Sequence, residues 1–195
     1  MKIGCDYDNV VVDYMGGFCD FYNQRCGTNF SIQDFKSHNI WETIGGSRFR
    51  AVLLVNLFYY SKLFDGIQLI EGAREGIKEL SENNNLSIVT ARFNHFRKKT
   101  ERDVKRNFDG SIDNVFYTGF YNPFGKLDLC KKEGINLLIE DNKHYAVSCA
   151  DAGINVFLFD RPWNQNLEHE NIIRVYDWSE ILEKINELNM MNKEI

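Results

Sequence analysis

The chain has 195 residues, with 44% hydrophobic and 26% charged side chains and a formal net charge of −5. These values are typical of one globular domain that buries a sizeable core, and the negative charge argues against binding of a nucleic acid polymer. No apolar stretch approaches the roughly 20 residues that a membrane-spanning helix needs, so no contact with a membrane is expected.

The first predicted element is a buried strand, and a long stretch without strands follows it. The strand is "KIGCD", and its end begins the acidic pattern of Asp6 and Asp8. Residues 14–69 contain the helical patterns "GFCDFYNQRC" and "SRFRAVLLVNLFYYSKLF", joined by the polar segment "GTNFSIQDFKSHN". Because this stretch is far longer than a βα connection requires, we expect it to form a small helical cap over one edge of a sheet.

After the cap, strands alternate with helical patterns to the end of the sequence. The remaining predicted strands are "LSIVTA", "DNVFYTG", "NLLIED", "NVFLFD" and "IIRVYD". Most of them are apolar almost throughout, as strands covered on both faces are. Two of the helical patterns end in a glycine, Gly134 and Gly153. The alternation predicts an α/β core with a parallel sheet flanked by helices, formed by residues 1–13 and 70–195.

Three of the predicted strands end in side chains that could carry chemistry. These groups are Asp6 and Asp8 after the first strand, Thr90, Ala91 and Arg92 after the second, and Glu140 and Asp141 after the fourth. Ligands of open parallel sheets bind at the carboxyl ends of the strands. We therefore expect these groups to meet in one cleft beneath the cap.

Carboxylates gathered in one cleft repel each other, by about 4 kcal/mol per pair at ~4 Å and an effective dielectric constant of about 20. A divalent cation such as Mg²⁺ would relieve this repulsion, because carboxylates and water are its preferred ligands. A phosphate group would also explain Thr90, whose hydroxyl can donate, and a lysine, whose ammonium offsets negative charge. Lys126 begins the helix before the fourth strand and is favoured, whereas Lys131 lies deeper in the same helix and remains the alternative.

The order of these groups resembles the haloacid dehalogenase-like (HAD) phosphatase superfamily. "DYDNV" is similar to the first motif of that superfamily, and Thr90 in "SIVTAR" matches the second. Lys126 in "FGKLDLCKKEGINLLIEDN" matches the third, and Glu140-Asp141 matches the fourth. The resemblance implies a Rossmann-like core, with the helical cap inserted after the first strand.

A narrower resemblance points to a class of substrate. "DYDNVVVDYMGGF" looks like the start of the 5′(3′)-deoxyribonucleotidases, in which an aromatic residue eight positions after the nucleophile helps to hold the nucleobase; here that residue is Tyr14. "LFDRPWNQ" also resembles bacterial proteins described as nucleotidases. Tyr14 and Arg92 are therefore candidate substrate contacts. Other aromatic residues of the cap could stack on a base as well, although packing within the cap is the simpler explanation for each of them taken alone.

The resemblance implies a Mg²⁺-dependent phosphatase that forms an aspartyl-phosphate. Asp6 would be the nucleophile, and Asp8 would be the general acid and base. Thr90, Ala91 and Lys126 would hold the phosphate. The metal would lie between Asp6, the backbone carbonyl of Asp8, and Asp141, with Glu140 acting directly or through water.

Three alternatives stay open at this point. The same chemistry could act on a sugar phosphate or another small phosphate ester. A phospho-accepting receiver module also uses acids, a hydroxyl and a lysine on a parallel sheet, but its acceptor aspartate ends the third strand, where "DNVFYTG" offers none. The third alternative is a binding protein that has lost its activity. The reactive groups, which are retained in all four motifs, argue against it.

The remaining expectations concern partners and compartment. The five cysteines are odd in number and contain no Cys-x-x-Cys pair, which favours free thiols in a reducing cytoplasm. The expected partner is a small phosphorylated molecule, such as a nucleoside monophosphate. Assembly into a homodimer is possible for a chain of this size.

Overall fold

A fully parallel sheet of six strands lies at the centre of the structure, a computed structural model that describes residues 1–119, 122 and 124–191. The strands are β1 (Lys2–Cys5), β2 (Asn85–Thr90), β3 (Asn114–Tyr117), β4 (Leu137–Glu140), β5 (Asn155–Phe159) and β6 (Ile172–Val175). Their order is β3-β2-β1-β4-β5-β6, and all six correspond to predicted strands. The chain order reverses on either side of β1, which is where α/β sheets bind ligands.

Helices cover both faces of the sheet. The core helices are α5 (Ala73–Asn83), α6 (Arg97–Phe108), α7 (Gly125–Glu133), α8 (Lys143–Asp151) and α9 (Trp178–Met191). One face packs against α5, α6 and α9, and the other packs against α7 and α8. Because strand side chains alternate between the two faces, β4 contributes Leu137 and Ile139 to the first cluster and Leu138 to the second. Burial on both faces explains the nearly continuous apolar strands.

The predicted helix end at Gly134 is present. Gly134 has a left-handed backbone with φ of 68°, and its N–H donates to the carbonyls of Cys130 and Lys131, which close α7. Gly153 also has a positive φ, of 81°, although α8 ends two residues earlier, at Asp151. A side chain would strain the backbone at both positions. The two glycines therefore allow the chain to turn from α7 into β4 and from α8 into β5 within a few residues.

The helical cap lies between β1 and β2 and consists of four short helices and one 3₁₀ turn. They are α1 (Tyr14–Cys26), the 3₁₀ turn Ile32–Asp34, α2 (Ile40–Ile44), α3 (Arg48–Tyr59) and α4 (Lys62–Asp65). The second pattern of the sequence predicts one helix where the structure has α3 and α4. The helix restarts because the Ser61 hydroxyl accepts from the N–H of Phe64, as an N-cap does. The helix α2 has no counterpart among the predicted elements.

The cap has an apolar cluster of its own, built mainly from aromatic residues. Phe18, Phe35 and Phe58 are its fully buried centre, and their rings pack largely edge to face or tilted. Two core residues, Phe96 and Trp163, complete this cluster from below. The cap is thereby packed against the core segments that follow β2 and β5.

None of the helices in the described ranges is long and apolar enough to cross a membrane.

Candidate active site

The carboxyl ends of β1, β2 and β4 open into a single cleft between the sheet and the cap. Most of the residues predicted to act together line it: Asp6, Asp8, Tyr14, Thr90, Ala91, Arg92, Lys126 and Asp141. Glu140 lies beneath the floor of the cleft and is fully buried. The topology therefore brings together residues that are separated by up to 135 positions in the sequence.

Lys126 links the first and the fourth motif. Its ammonium lies 2.9 Å from Asp6 Oδ1 and 2.6 Å from Glu140 Oε2, and the side chain is 1% exposed. Burial disfavours the ammonium, but the two carboxylates outweigh that effect and raise the pKa of Lys126. The lysine therefore stays charged beside Asp6. Lys131, the alternative, is exposed and lies outside the residues lining the cleft.

Three buried carboxylates form the group that could hold a metal ion; we refer to Asp6, Glu140 and Asp141 as the acidic trio. One oxygen from each lies within 4.8 Å of the others. Burial and the neighbouring Asp6 raise the pKa of Asp141 to about 7, and they also raise that of Glu140. Lys126 supplies one positive charge against three carboxylates, so a divalent cation fits the uncompensated charge.

Glu140 has little capacity left for a ligand. Its Oε2 accepts from Lys126, and its Oε1 accepts from the backbone N–H groups of Asp141 and Asn142 at 3.2 and 3.0 Å. Asp6 and Asp141 are therefore the better placed metal ligands. Glu140 holds Lys126 and the turn after β4 in place.

Asp8 stands apart from the acidic trio, in an ion pair with Arg92. The guanidinium Nη2 lies 2.5 Å from Asp8 Oδ1, and Nε lies 2.9 Å from Oδ2. Arg92 is 3% exposed and also donates to Thr100, and its guanidinium lies over the ring of Tyr59, 5.5 Å from the centroid. The sequence predicts Arg92 as a substrate contact. The structure instead commits most of its donors to protein groups, with Asp8 as the main partner.

Replacing Arg92 with lysine is expected to lower kcat by about tenfold or more, because a lysine cannot form two parallel bonds that orient the Asp8 carboxylate. Steady-state kinetics with a generic phosphate ester measures this. The matched control is Arg106→Lys, which alters another arginine–aspartate pair, with Asp103, on the exposed face of α6. Equal kcat values for Arg92→Lys and the wild type would contradict the assignment of Arg92 to Asp8.

Thr90 ends β2 with its hydroxyl available as a donor. Its Oγ1 accepts the backbone N–H of Arg92 at 3.2 Å, which leaves the hydroxyl proton free to point to another acceptor. Thr90 and Ala91 both line the cleft. Thr90 can thus present a hydroxyl donor to a ligand in the cleft that Asp6 also lines.

The aromatic residues of the cap fall into three groups. Tyr14, Trp41 and Tyr59 line the cleft. Phe18 and Phe58 are fully buried within the cap, and Tyr60 is 72% exposed and outside the cleft lining. Only the first group is placed to contact a substrate. Packing accounts for the second.

Sequence reasoning missed the residues that surround Asp141. Trp163 Nε1 donates to Asp141 Oδ2 at 3.0 Å, and Asn9 Nδ2 lies 3.3 Å from the same oxygen. Asn164 donates to the Asp141 carbonyl at 2.8 Å, and Arg161 donates twice to the carbonyl of Asn9. Three of these residues belong to "DRPWNQ", whose only signal in the sequence is its resemblance to bacterial nucleotidases.

Asn9 occupies a backbone position that few residues adopt. Its φ is 62°, in the left-handed region, where asparagine is better tolerated than most side chains. Its Oδ1 accepts the N–H of Met15 at 2.8 Å while its Nδ2 faces Asp141. The turn after β1 is thereby tied to both the start of the cap and the acidic trio.

Comparison with known structures identifies the fold. A haloacid dehalogenase-like hydrolase from Streptococcus pneumoniae superposes with a TM-score of 0.69 at 16% identity, covering 94% of this chain and 97% of that one. The HAD-hydrolase YfnB of Bacillus subtilis, solved with bound magnesium, gives a TM-score of 0.65 at 18% identity and covers 95% of this chain and 98% of its own. The predicted HAD-like fold with a helical cap is confirmed.

Sequence comparison identifies the family. A nucleotidase of Clostridium acetobutylicum is 30% identical over 186 residues, which cover 93% of this chain and 91% of the relative. The model of the family described as 5′ nucleotidase, deoxy (pyrimidine), cytosolic type C protein matches residues 1–192. The prediction of a phosphatase of the nucleotidase type is thereby confirmed, and the receiver and inactive alternatives are set aside. The chain belongs to the 5′ nucleotidase, deoxy (pyrimidine), cytosolic type C family.

Proposed function

We propose that this protein is a Mg²⁺-dependent phosphomonoesterase that hydrolyses (deoxy)ribonucleoside 5′-monophosphates through an aspartyl-phosphate. The observation that carries the proposal is the position of Asp6, which shares the cleft with Lys126 and Asp141 and contacts Lys126 at 2.9 Å. A carboxylate nucleophile needs a cation beside it and a nearby site that holds the phosphate it attacks. The family and its nucleotidase relative support the class of substrate.

In the first step, Asp6 attacks phosphorus, and the bond from phosphorus to the 5′ oxygen breaks. Asp8 donates a proton to the leaving oxygen. In the second step, Asp8 takes a proton from water, whose oxygen attacks phosphorus, and the Asp6 carboxylate is released with inorganic phosphate. Asp8 has to give up at least one of its bonds to Arg92 to carry that proton, because both of its oxygens accept from the guanidinium.

Thr90, Ala91 and Lys126 hold the phosphoryl oxygens in this proposal. The Thr90 hydroxyl and the Lys126 ammonium donate to oxygens whose charge changes in the transition state. Mg²⁺ would be held by Asp6, Asp141 and the backbone carbonyl of Asp8, with Glu140 acting through Lys126 or through water. Bound Mg²⁺ would offset the repulsion between the phosphate and the acidic trio.

The cap side of the cleft is the proposed site of the nucleoside. Tyr14 and Trp41 belong to the cap and line the cleft, and aromatic faces stack favourably on a nucleobase.

The five cysteines are free, four of them buried, which agrees with a reducing cytoplasm as the working compartment. A homodimer remains a prediction.

The test is a panel of phosphate esters assayed with Mg²⁺ and after treatment with EDTA. We expect nucleoside 5′-monophosphates to give kcat/KM values at least about tenfold above those of sugar phosphates, because only nucleotides carry a base that can contact Tyr14 and Trp41. EDTA should abolish turnover of every substrate, and added Mg²⁺ should restore it.

Each part of the proposal fails on a different result. Equal turnover of sugar phosphates and nucleotides would overturn the nucleotidase assignment but leave the chemistry intact. Full activity in EDTA, after dialysis against the chelator, would overturn the metal requirement. A burst of the chromogenic alcohol in the first turnover would support the covalent intermediate, because the alcohol leaves before the phosphate.

A further inference from the structure

The Asp141 carboxylate is held from one side by two donors that belong to different parts of the chain. Trp163 Nε1 and Asn9 Nδ2 both approach Oδ2, at 3.0 and 3.3 Å. Within the part of the chain that the structure describes, both side-chain N–H donors to this carboxylate go to Oδ2, and none goes to Oδ1. The two donors therefore fix the rotation of the carboxylate and leave one oxygen for another partner.

Trp163 is itself held rigidly. Its side chain is 2% exposed and belongs to the apolar cluster of the cap, and its ring lies 6.4 Å from that of His38 in a T-shaped arrangement. The next residue, Asn164, donates to the carbonyls of Asp141 and Phe159 at 2.8 and 2.7 Å. The indole N–H thus points at Asp141 from a fixed ring on a fixed loop.

We infer that Trp163 is a positioning residue for the metal site, which orients Asp141 through its indole N–H and ties the acidic trio to the packing of the cap. The inference rests on the proposed metal-dependent function. Donors behind a metal-binding carboxylate orient it, and their loss typically weakens metal binding by about 10- to 100-fold. Asn9 has the same role through a longer contact.

The test compares two substitutions that each remove one buried indole N–H. Trp163→Phe keeps an aromatic ring in the cluster but deletes the bond to Asp141. Trp178→Phe is the matched control, since Trp178 is 1% exposed and its Nε1 donates at 3.0 Å to the Val10 carbonyl. Binding of Mn²⁺ to the metal-free full-length proteins is followed by electron paramagnetic resonance, and melting temperatures are recorded for each variant.

We expect the Kd for Mn²⁺ to rise by about tenfold or more in Trp163→Phe and to stay within about twofold of wild type in Trp178→Phe. A Kd within twofold of wild type in Trp163→Phe would overturn the inference. An equal rise in both variants would overturn it too, because the effect would then follow from any lost indole bond. If the wild type itself bound no Mn²⁺, both this inference and the proposed metal requirement would fall.

A second measurement does not depend on the folding of Trp163→Phe. The chain has three tryptophans, so Trp41→Phe combined with Trp178→Phe leaves Trp163 as the only indole. Mn²⁺ is a paramagnetic quencher and should reduce the fluorescence of this residue until the site is saturated. The Kd from this titration should equal the Kd measured by electron paramagnetic resonance. Absence of quenching at saturating Mn²⁺ would place the metal away from Trp163 and overturn the inference.

Discussion

Replacing Asp6 with asparagine is expected to lower kcat by at least about 10⁴-fold, as loss of a covalent nucleophile does. Asparagine has nearly the same shape as aspartate, and its carbonyl oxygen can still accept from Lys126, whose ammonium lies 2.9 Å from Asp6 Oδ1 in the wild type. The amide is a poor nucleophile, so the covalent step fails while the geometry of the cleft persists. Assays with a chromogenic phosphate ester and with nucleoside monophosphates measure the loss.

The same substitution should leave the fold intact or make it more stable when no metal is present. Asp6 is repelled by the other two carboxylates of the acidic trio, whose oxygens lie within 4.8 Å, and it is held by Lys126 at 2.9 Å and by the Tyr7 N–H at 2.8 Å. The asparagine oxygen can keep both hydrogen bonds, and removing the charge relieves two repulsions while it weakens one ion pair, so these effects largely offset each other. We expect a melting temperature in EDTA that equals or exceeds that of the wild type, and a smaller increase on addition of Mg²⁺.

Asp20→Asn provides the control, because Asp20 is an exposed acid on α1 and undergoes the same chemical change. It should retain wild-type kcat and melting temperature. Substantial activity in Asp6→Asn would show that Asp6 is not the nucleophile. A large loss of stability in EDTA would show that Asp6 is held mainly as a structural partner of Lys126.

The sheet could be predicted because burial on both faces leaves a simple pattern in the sequence. All four residues of β4, Leu137–Glu140, are buried, and the segment is apolar until its last residue. The edge strand β6 is partly exposed, with Ile173 at 42%, but its β-branched residues still indicate a strand. Because strands and helices alternate along the chain, each helix can connect two parallel strands, and a parallel sheet follows.

The interior of the cap was harder to predict, for a physical reason. Helix α3 is apolar on nearly all sides, with Phe49 and Leu53 exposed at 79% and 51%, so it lacks the one-sided period that marks the ends of an amphipathic helix. The apolar run continues past the break at Ser61. That break depends on a single N-cap hydrogen bond, which a search for capping residues could have suggested.

The site could be predicted only as far as each residue is tied to the end of a strand. Asp6 and Asp141 directly follow β1 and β4, and Thr90 is the last residue of β2, so topology alone brings them together. The partner of Arg92 depends on how side chains pack across 84 positions of sequence, and no periodic pattern encodes it. Trp163 was missed for the same reason, since its role comes from a loop.

Replacing Lys126 with methionine is expected to damage both stability and activity, in contrast to Asp6→Asn. Lys126 is the cation that contacts Asp6 and Glu140, and its side chain is 1% exposed. Removing one partner of a buried ion pair typically costs about 3–5 kcal/mol in the free energy of unfolding. The loss of a donor to the phosphate should lower kcat by about 10²- to 10³-fold in addition. Urea unfolding in EDTA and steady-state kinetics measure the two effects.

Lys131→Met is the matched control for Lys126→Met, since Lys131 lies on the same helix, is exposed, and was the alternative phosphate ligand. It should change the free energy of unfolding by less than about 0.5 kcal/mol, as surface substitutions do, and leave kcat unchanged. A loss of activity in Lys131→Met with full activity in Lys126→Met would reverse the assignment of the third motif.

A double variant separates the structural role of Lys126 from its role in catalysis. Glu140 accepts from Lys126 at 2.6 Å and is fully buried, so in Lys126→Met its carboxylate is left without a cation. Adding Glu140→Gln removes that charge and should recover part of the lost free energy of unfolding. It should not recover kcat, because the donor to the phosphate is still missing. Recovery of kcat together with stability would mean that Lys126 serves the site only by balancing Glu140.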